Sequence, residues 1–140
     1  MKMSKRCEYA LRALIGLAAA ERSGNSPVAL AQLAASENIP ESFLEQILRQ
    51  LKESGYVVSA RGKEGGYALG RAASVISMGD VVRLVEGPLA PIRCVSRTAY
   101  ERCSCPNEQS CGLRFMMEEV RNSVAAILDT TTLEKVVESV

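Results

Sequence analysis

Four cysteines, Cys94, Cys103, Cys105 and Cys111, fall within 18 residues, and a fifth, Cys7, stands alone near the start. Thiolates are nucleophiles and soft metal ligands, so such a group can be reduced bystanders, a zinc site, a thiol switch or an iron-sulfur site. The spacing of eight residues, then one, then five lacks the paired C-x-x-C of a structural zinc ribbon. Histidine is absent, which removes histidine ligation and histidine general-base catalysis. Soft thiolates in a loop without histidine suit an iron-sulfur cluster. An odd, clustered set with no visible export signal points to metal or redox chemistry rather than a disulfide scaffold.

A second constellation lies in the stretch 41–54. Leu44, Ile47, Leu48 and Leu51 make one apolar stripe, while Ser42, Glu45, Gln46 and Arg49 take the same helical spacing on the opposite side. In isolation such a polar face is a solvated surface. It is also what a helix lying in a DNA groove presents, with Gln46 and Arg49 offering donors to base edges, Ser42 suited to a phosphate or base, and Glu45 able to accept from cytosine. Tyr56–Ala60 and Tyr67–Leu69 follow as two short strands around Arg61-Gly62-Lys63-Glu64-Gly65-Gly66, a basic, glycine-rich turn. Arg61 and Lys63 at its tip can reach a minor groove or its phosphates, and Gly62, Gly65 and Gly66 permit close backbone approach. Arg12 and Arg71 are candidate backbone clamps.

The elements that must hold these residues are mostly helical. Leu11, Leu14, Ile15 and Ala18 set a core helix from about Ser4 to Ser23, stopped by Gly24. Ser26 as N-cap and Pro27 at the first helical position announce a short second helix with Leu30, Leu33 and Ala34 inward. Ser77-x-x-Asp80 opens a fourth helix that Gly87-Pro88 ends. The stretch from about Leu89 to Ser110 has no periodicity and holds the cysteines. Leu113, Met117, Val120, Val124 and Ile127 then repeat at 4-3-4-3, a coiled-coil seam too short to stand alone, which calls for packing on the domain or on a twin helix. Thr131-x-x-Glu134 starts a last short helix. Three helices and a basic hairpin, in that order, form a winged helix-turn-helix.

Composition agrees with one compact domain and an appended element: 140 residues, 47% hydrophobic and 24% charged. Net charge is only +1, but residues 1–71 carry ten Lys/Arg against seven Asp/Glu and residues 72–140 seven against nine. The front half is the better candidate for phosphate contact. Charged residues interrupt the apolar N-terminal segment, so neither a membrane span nor a signal peptide is expected. No phosphate-binding glycine loop or carboxylate dyad suggests an enzyme; a small dithiol redox enzyme using Cys103 and Cys105 is the remote version.

The segments Cys7-Glu8-Tyr9-Ala10-Leu11-Arg12-Ala13-Leu14, Ile39-Pro40-Glu41-Ser42-Phe43-Leu44-Glu45-Gln46-Ile47-Leu48 and Arg61-Gly62-Lys63-Glu64-Gly65-Gly66-Tyr67-Ala68-Leu69 resemble the IscR/NsrR/CymR-type family of winged-helix bacterial regulators. The wing motif is the specific part of the match. The resemblance implies a cytoplasmic homodimer crossed through the long helix, palindromic double-stranded operator DNA, and in many members an iron-sulfur cluster held by three loop cysteines. Cys105-Pro106 and Cys111-Gly112-Leu113-Arg114 look like the last two cluster positions, with Cys94 as the first. Cys103 can replace Cys105, act as a resolving thiol, or sit idle. Glu8 stands where relatives place a carboxylate ligand, and Cys7 reads as core.

The expected protein is therefore mainly α, with a DNA-binding unit over 1–87, a cysteine loop over 88–111, and a dimerisation helix and tail over 112–140. Its expected function is transcription regulation governed by a [2Fe-2S] or [4Fe-4S] cluster that senses redox, nitric oxide or iron status. The alternative is a clusterless regulator of cysteine metabolism, worked by a thiol switch or a partner protein.

Overall fold

A computed structural model describes residues 2–62 and 65–140. Ser4 caps α1 (Lys5–Arg22) by accepting from the Cys7 amide at 3.1 Å, and the helix buries Cys7, Ala10, Ala13, Leu14, Leu17 and Ala18. Three alanines on that face bring neighbouring backbones close. Against it pack α2 (Leu30–Glu37) and α3 (Glu41–Glu53), with Tyr9 and Phe43 edge to face at 5.5 Å. The apolar stripe of α3 is wholly enclosed: Leu44, Ile47, Leu48 and Leu51 are each 0% exposed. At about 1.5–3 kcal/mol for each such side chain, this stripe fixes which face of α3 turns outward.

The start of α2 departs from the sequence expectation. Ser26 and Pro27 do not open the helix, which begins at Leu30 with Ala29 as N-cap. The intervening Val28 is extended instead, because its amide donates to the Tyr67 carbonyl at 2.9 Å and its carbonyl accepts from the Tyr67 amide at 2.8 Å. Gly66 makes this third, one-residue strand possible. Its φ is +153°, and a Cβ there would lie 2.3 Å from the Val28 oxygen.

Strands β1 (Val57–Ala60) and β2 (Gly66–Leu69) pair antiparallel, Val57 opposite Leu69 and Ala60 opposite Gly66. After a 3-10 turn at Ala73–Val75, α4 (Met78–Glu86) is capped by Ser77, whose hydroxyl accepts from the Asp80 amide. The loop that follows contains one further 3-10 turn, Arg93–Val95. Then α5 (Gly112–Thr130) runs for 19 residues, and α6 (Leu133–Glu138) is capped by Thr132 rather than Thr131. The difference arises because Thr131 is engaged elsewhere: its carbonyl accepts from Met78 and its hydroxyl bonds back to Ile127.

The last helix returns to the first unit. Leu133 and Val137 join the core around α1, and Ser77 and Thr132 form an antiparallel bridge. Along α5 only Arg121 is fully buried. The seam is half-buried at Met117, Val120 and Val124 and open at Leu113 and Ile127, which are 54% and 66% exposed.

Candidate nucleic-acid interface and the cysteine loop

Burial of one face of α3 leaves Ser42, Glu45, Gln46 and Arg49 exposed on the other. Glu45 and Arg49 face each other one turn apart at 3.9 Å, with side chains 53% and 66% exposed. A pair that open to water contributes little to stability, so both are available to a ligand. At the hairpin tip Arg61 and Gly62 are exposed, and the Gly65 amide closes the turn on the Gly62 carbonyl at 3.0 Å. Lys63 lies outside the described residues.

The two arginines considered as DNA-backbone clamps also have partners within the chain. Arg12 donates to the Glu37 carbonyl, pairs with Glu8 at 3.6 Å and Glu37 at 3.9 Å, and lies over the Tyr9 ring. Arg71 donates to the Ser54 carbonyl at 2.8 Å and stacks on Tyr56 at 4.4 Å. Arg12 ties α1 to the end of α2, and Arg71 ties the segment after β2 to the end of α3.

The loop of 88–111 brings its four cysteines together. Cys94 is 5% exposed within its 3-10 turn, whereas Cys103, Cys105 and Cys111 are half-buried. The Cys103 sulfur accepts from the Cys105 amide at 3.3 Å, and the thiols of Cys105 and Cys94 lie near it. These contacts, led by the amide, hold the Cys103 thiol below its ordinary range. Cys105 is pushed up to about 11, first by its bond to Cys103 and then by burial. Burial raises Cys94, with the Arg114 guanidinium opposing. Cys7, sealed in α1 and facing the charge of Glu86, is pushed up to about 11.

Three residues that the sequence reading did not single out organise this loop. Glu108 accepts from the Tyr100 hydroxyl at 2.6 Å and from the Cys103 amide at 2.5 Å, and these donors lower its carboxyl below the usual range. Arg114 directs its charge at Cys94, Tyr100 and Glu108, and its Nε is buried with no hydrogen-bond partner. Arg121, 8% exposed, donates to the Val95 carbonyl, to Asn122 at 2.7 and 3.2 Å, and to Glu118 at 3.4 Å. One legible sign existed: Arg114, Glu118 and Arg121 are spaced i, i+4, i+7, a charged stripe along α5.

For a metal the arrangement is less apt than the residue types. Among the described residues no group of three or more cysteine, aspartate and glutamate side chains is disposed to hold a metal ion. Glu8, the carboxylate considered as a further ligand, pairs with Lys5 at 3.2 Å and with Arg12. The donor types therefore suit a cluster, while the described arrangement holds no preformed site for one.

An exposed polar helix face beside a two-stranded wing, on a three-helix core, defines a winged helix-turn-helix DNA-binding transcription regulator. No helix among the described residues is long and apolar enough to cross a membrane. The chain belongs to the Rrf2 family, described as iron-dependent transcriptional regulators, whose model matches residues 3–139. It is 38% identical over 134 residues to a putative rrf2-like HTH-type transcriptional regulator of Rhodobacter capsulatus, covering 94% of this chain and 89% of that one. Among solved structures it is similar to CymR, described as the global cysteine regulator of B. subtilis, with TM-score 0.83 and 32% identity over 100% of this chain and 98% of that one. The T. potens IscR structure is also similar, with TM-score 0.76, 27% identity and coverage of 99% and 88%. Regulation of transcription, not catalysis, is the family's work.

Proposed function

We propose that this regulator binds operator DNA as a homodimer and that its affinity follows the oxidation state of the loop thiols. The observation that carries the sensing part is the Cys105 amide donating to the Cys103 sulfur at 3.3 Å, in a loop that also holds Cys94 and Cys111. A hydroperoxide is the natural oxidant for such a site. The Cys103 thiolate attacks the peroxide oxygen, the O–O bond breaks, and the departing oxygen leaves as hydroxide or alkoxide, giving a sulfenic acid. A neighbouring thiol, Cys94 or Cys105, then displaces water from that sulfenic acid and forms a disulfide. A disulfide that takes Cys94 moves the residue next to Val95, whose carbonyl Arg121 of α5 holds, and so carries the change to α5.

In the DNA complex Gln46 and Arg49 take base edges in the major groove, Ser42 a phosphate or base and Glu45 a cytosine amine. Arg61 and Lys63 take the minor groove or its phosphates, with Gly62, Gly65 and Gly66 allowing the backbone near. The exposed apolar residues of α5, Leu113, Phe115, Met116 and Ile127, support pairing with a second copy, and two copies suit a palindromic site.

The competing reading is an iron-sulfur cluster on Cys94, Cys105 and Cys111, with Cys103 as the substitute for Cys105 and Glu8 as a further ligand. Its support is the family description and the softness of the donors. The experiment is anaerobic purification, with the visible spectrum and iron and acid-labile sulfide counts. Binding is then titrated on a duplex selected from a random pool, before and after hydrogen peroxide and again after dithiothreitol. Colourless protein whose affinity changes with peroxide, recovers with dithiothreitol and loses the response in Cys103→Ser supports the thiol switch. Brown protein with matching iron and sulfide transfers the function to the cluster.

A further inference from the structure

The exposed polar residues of α3 do not include Gln50, which is half-buried. Its Oε1 accepts from Arg6 of α1 twice, from Nε at 3.1 Å and from Nη2 at 2.9 Å. Its Nε2 donates to the Leu84 carbonyl at 3.4 Å. That carbonyl belongs to the last turn of α4, where the helix supplies no amide of its own, so Gln50 acts as a lateral cap. Arg83, the residue before Leu84, grips α5. Its Nη1 and Nη2 donate to Asp129 at 2.6 and 2.9 Å, a bidentate arrangement with directional preference.

Gly79 makes room for that grip, since a Cβ there would lie 2.0 Å from Asp129 Oδ1. The end of α5 is held to the start of α4 by backbone bonds as well, Met78 amide to Thr131 carbonyl at 2.9 Å and Leu133 amide to Ile76 carbonyl at 2.8 Å. A continuous series of directional contacts therefore runs from α5 to α4 to α3 and α1, arriving one residue after Arg49.

We propose that Gln50 is a positioning residue for sequence reading: within the outward face that the buried apolar stripe fixes, it sets the fine roll of α3 about its axis, and the Arg83–Asp129 clamp ties that roll to the placement of α5. Side chains reach about 5–6 Å from a helix axis, so a roll of about 20° moves their tips by about 2 Å. That is enough to break a hydrogen bond to a base edge. Contacts to the DNA backbone, made by long side chains and tolerant of such shifts, change far less. Loss of Gln50's contacts is thus expected to degrade discrimination between sequences rather than binding in general.

The inference rests on the reading that the outer face of α3 meets base edges, and the test separates the two. Full-length dimer is titrated by fluorescence anisotropy, at one salt concentration, with the duplex selected by the wild-type protein and with a scrambled duplex. The readout is the ratio of the two dissociation constants. Gln50→Leu is expected to lower that ratio about tenfold, the loss of one base-edge contact, with scrambled-duplex binding unchanged. Arg6→Met leaves α3 itself intact and is expected to give the same loss, which keeps the test available if Gln50→Leu does not fold. Asp129→Asn is expected to lower the ratio too, and in combination with Gln50→Leu to cost less than the product of the single losses.

If Gln50→Leu and Arg6→Met hold the ratio within about twofold of wild type while Arg49→Ala collapses it, the positioning role is refuted and the reading face stands. If the Asp129→Asn and Gln50→Leu losses simply multiply, the tie to α5 is refuted. If Arg49→Ala itself preserves the ratio, the reading face is wrong and the inference falls with it.

Discussion

Replacing Arg121 with methionine removes the hinge pin between α5 and the cysteine loop and keeps the aliphatic volume, so no large cavity confuses the result. In the native chain the guanidinium is 8% exposed and donates to the Val95 carbonyl, Asn122 and Glu118. Asn122 is exposed and Glu118 only half-buried, so both regain water and their loss costs little. Val95 is 1% exposed, so its carbonyl is left with no donor. A stranded buried acceptor costs about 1–3 kcal/mol. Relief of the desolvation carried by a buried cation offsets part of this. A net loss of about 2 kcal/mol, falling on the loop, corresponds to roughly a 30-fold rise in the open population. Cys94 precedes Val95 and is 5% exposed, so its labelling by a thiol reagent is expected to accelerate by about that factor in Arg121→Met. Mass spectrometry of labelled peptides from reduced dimer at fixed concentration reads it, with Cys7 as the internal control for global opening. Cys94 labelling within twofold of wild type would refute the argument, because the loop would then be held without Arg121. Equal acceleration at Cys7 would refute its local form, showing that the whole fold had loosened.

Other outcomes follow from the same geometry. With loop thiols free and reduced, alkylation from pH 7 to 9 is expected to find Cys103 first and Cys105 and Cys7 last, because the latter two are pushed up to about 11; peptide mapping that finds Cys105 ahead of Cys103 would invert the assignment. The Glu108 carboxyl sits below its ordinary value of 4.5, so the order it gives the loop is complete above that value and is lost only as pH falls through the lowered one. Glu108→Gln should therefore make loop amide exchange insensitive to acid in that window, and an unchanged acid response in the variant counts against Glu108 as the organiser. Arg61→Ala is expected to weaken binding to selected and scrambled duplexes alike and to flatten the salt dependence of log Kd by about one unit, measured between 50 and 200 mM salt as an approximate range. A salt slope equal to wild type would remove Arg61 from the interface.

Helix boundaries and the two faces of α3 were legible because helical periodicity is a local property. Leu44, Ile47, Leu48 and Leu51 had to turn inward together, which left Ser42, Glu45, Gln46 and Arg49 outside whatever the rest of the chain did. The wing was legible for a similar reason, since turn chemistry and strand alternation sit within 14 contiguous residues, 56–69. Ser26-Pro27 misled because its helix-start signal competed with a distant event: pairing of Val28 with Tyr67 pulled the backbone into a strand. Likewise the contacts of Arg12 with Glu37 and of Arg71 with Ser54 and Tyr56 were not legible, because those partners are remote in sequence.

Residue order by itself determined the winged-helix architecture, the exposed polar face of α3, the basic hairpin sequence and the presence of four clustered sulfurs. Tertiary structure decided how deep each of those sulfurs lies and which amide meets it, and it drew Glu108, Arg114 and Arg121 around them. It also carried α6 back onto α1 and gave Gln50 its partners in α1 and α4. The physical reason is range. Periodicity and capping act over a few residues along the chain, whereas hydrogen-bond partners and charge neighbours are chosen by whatever the closed core brings within about 3 Å, and spacing in the sequence does not encode that distance.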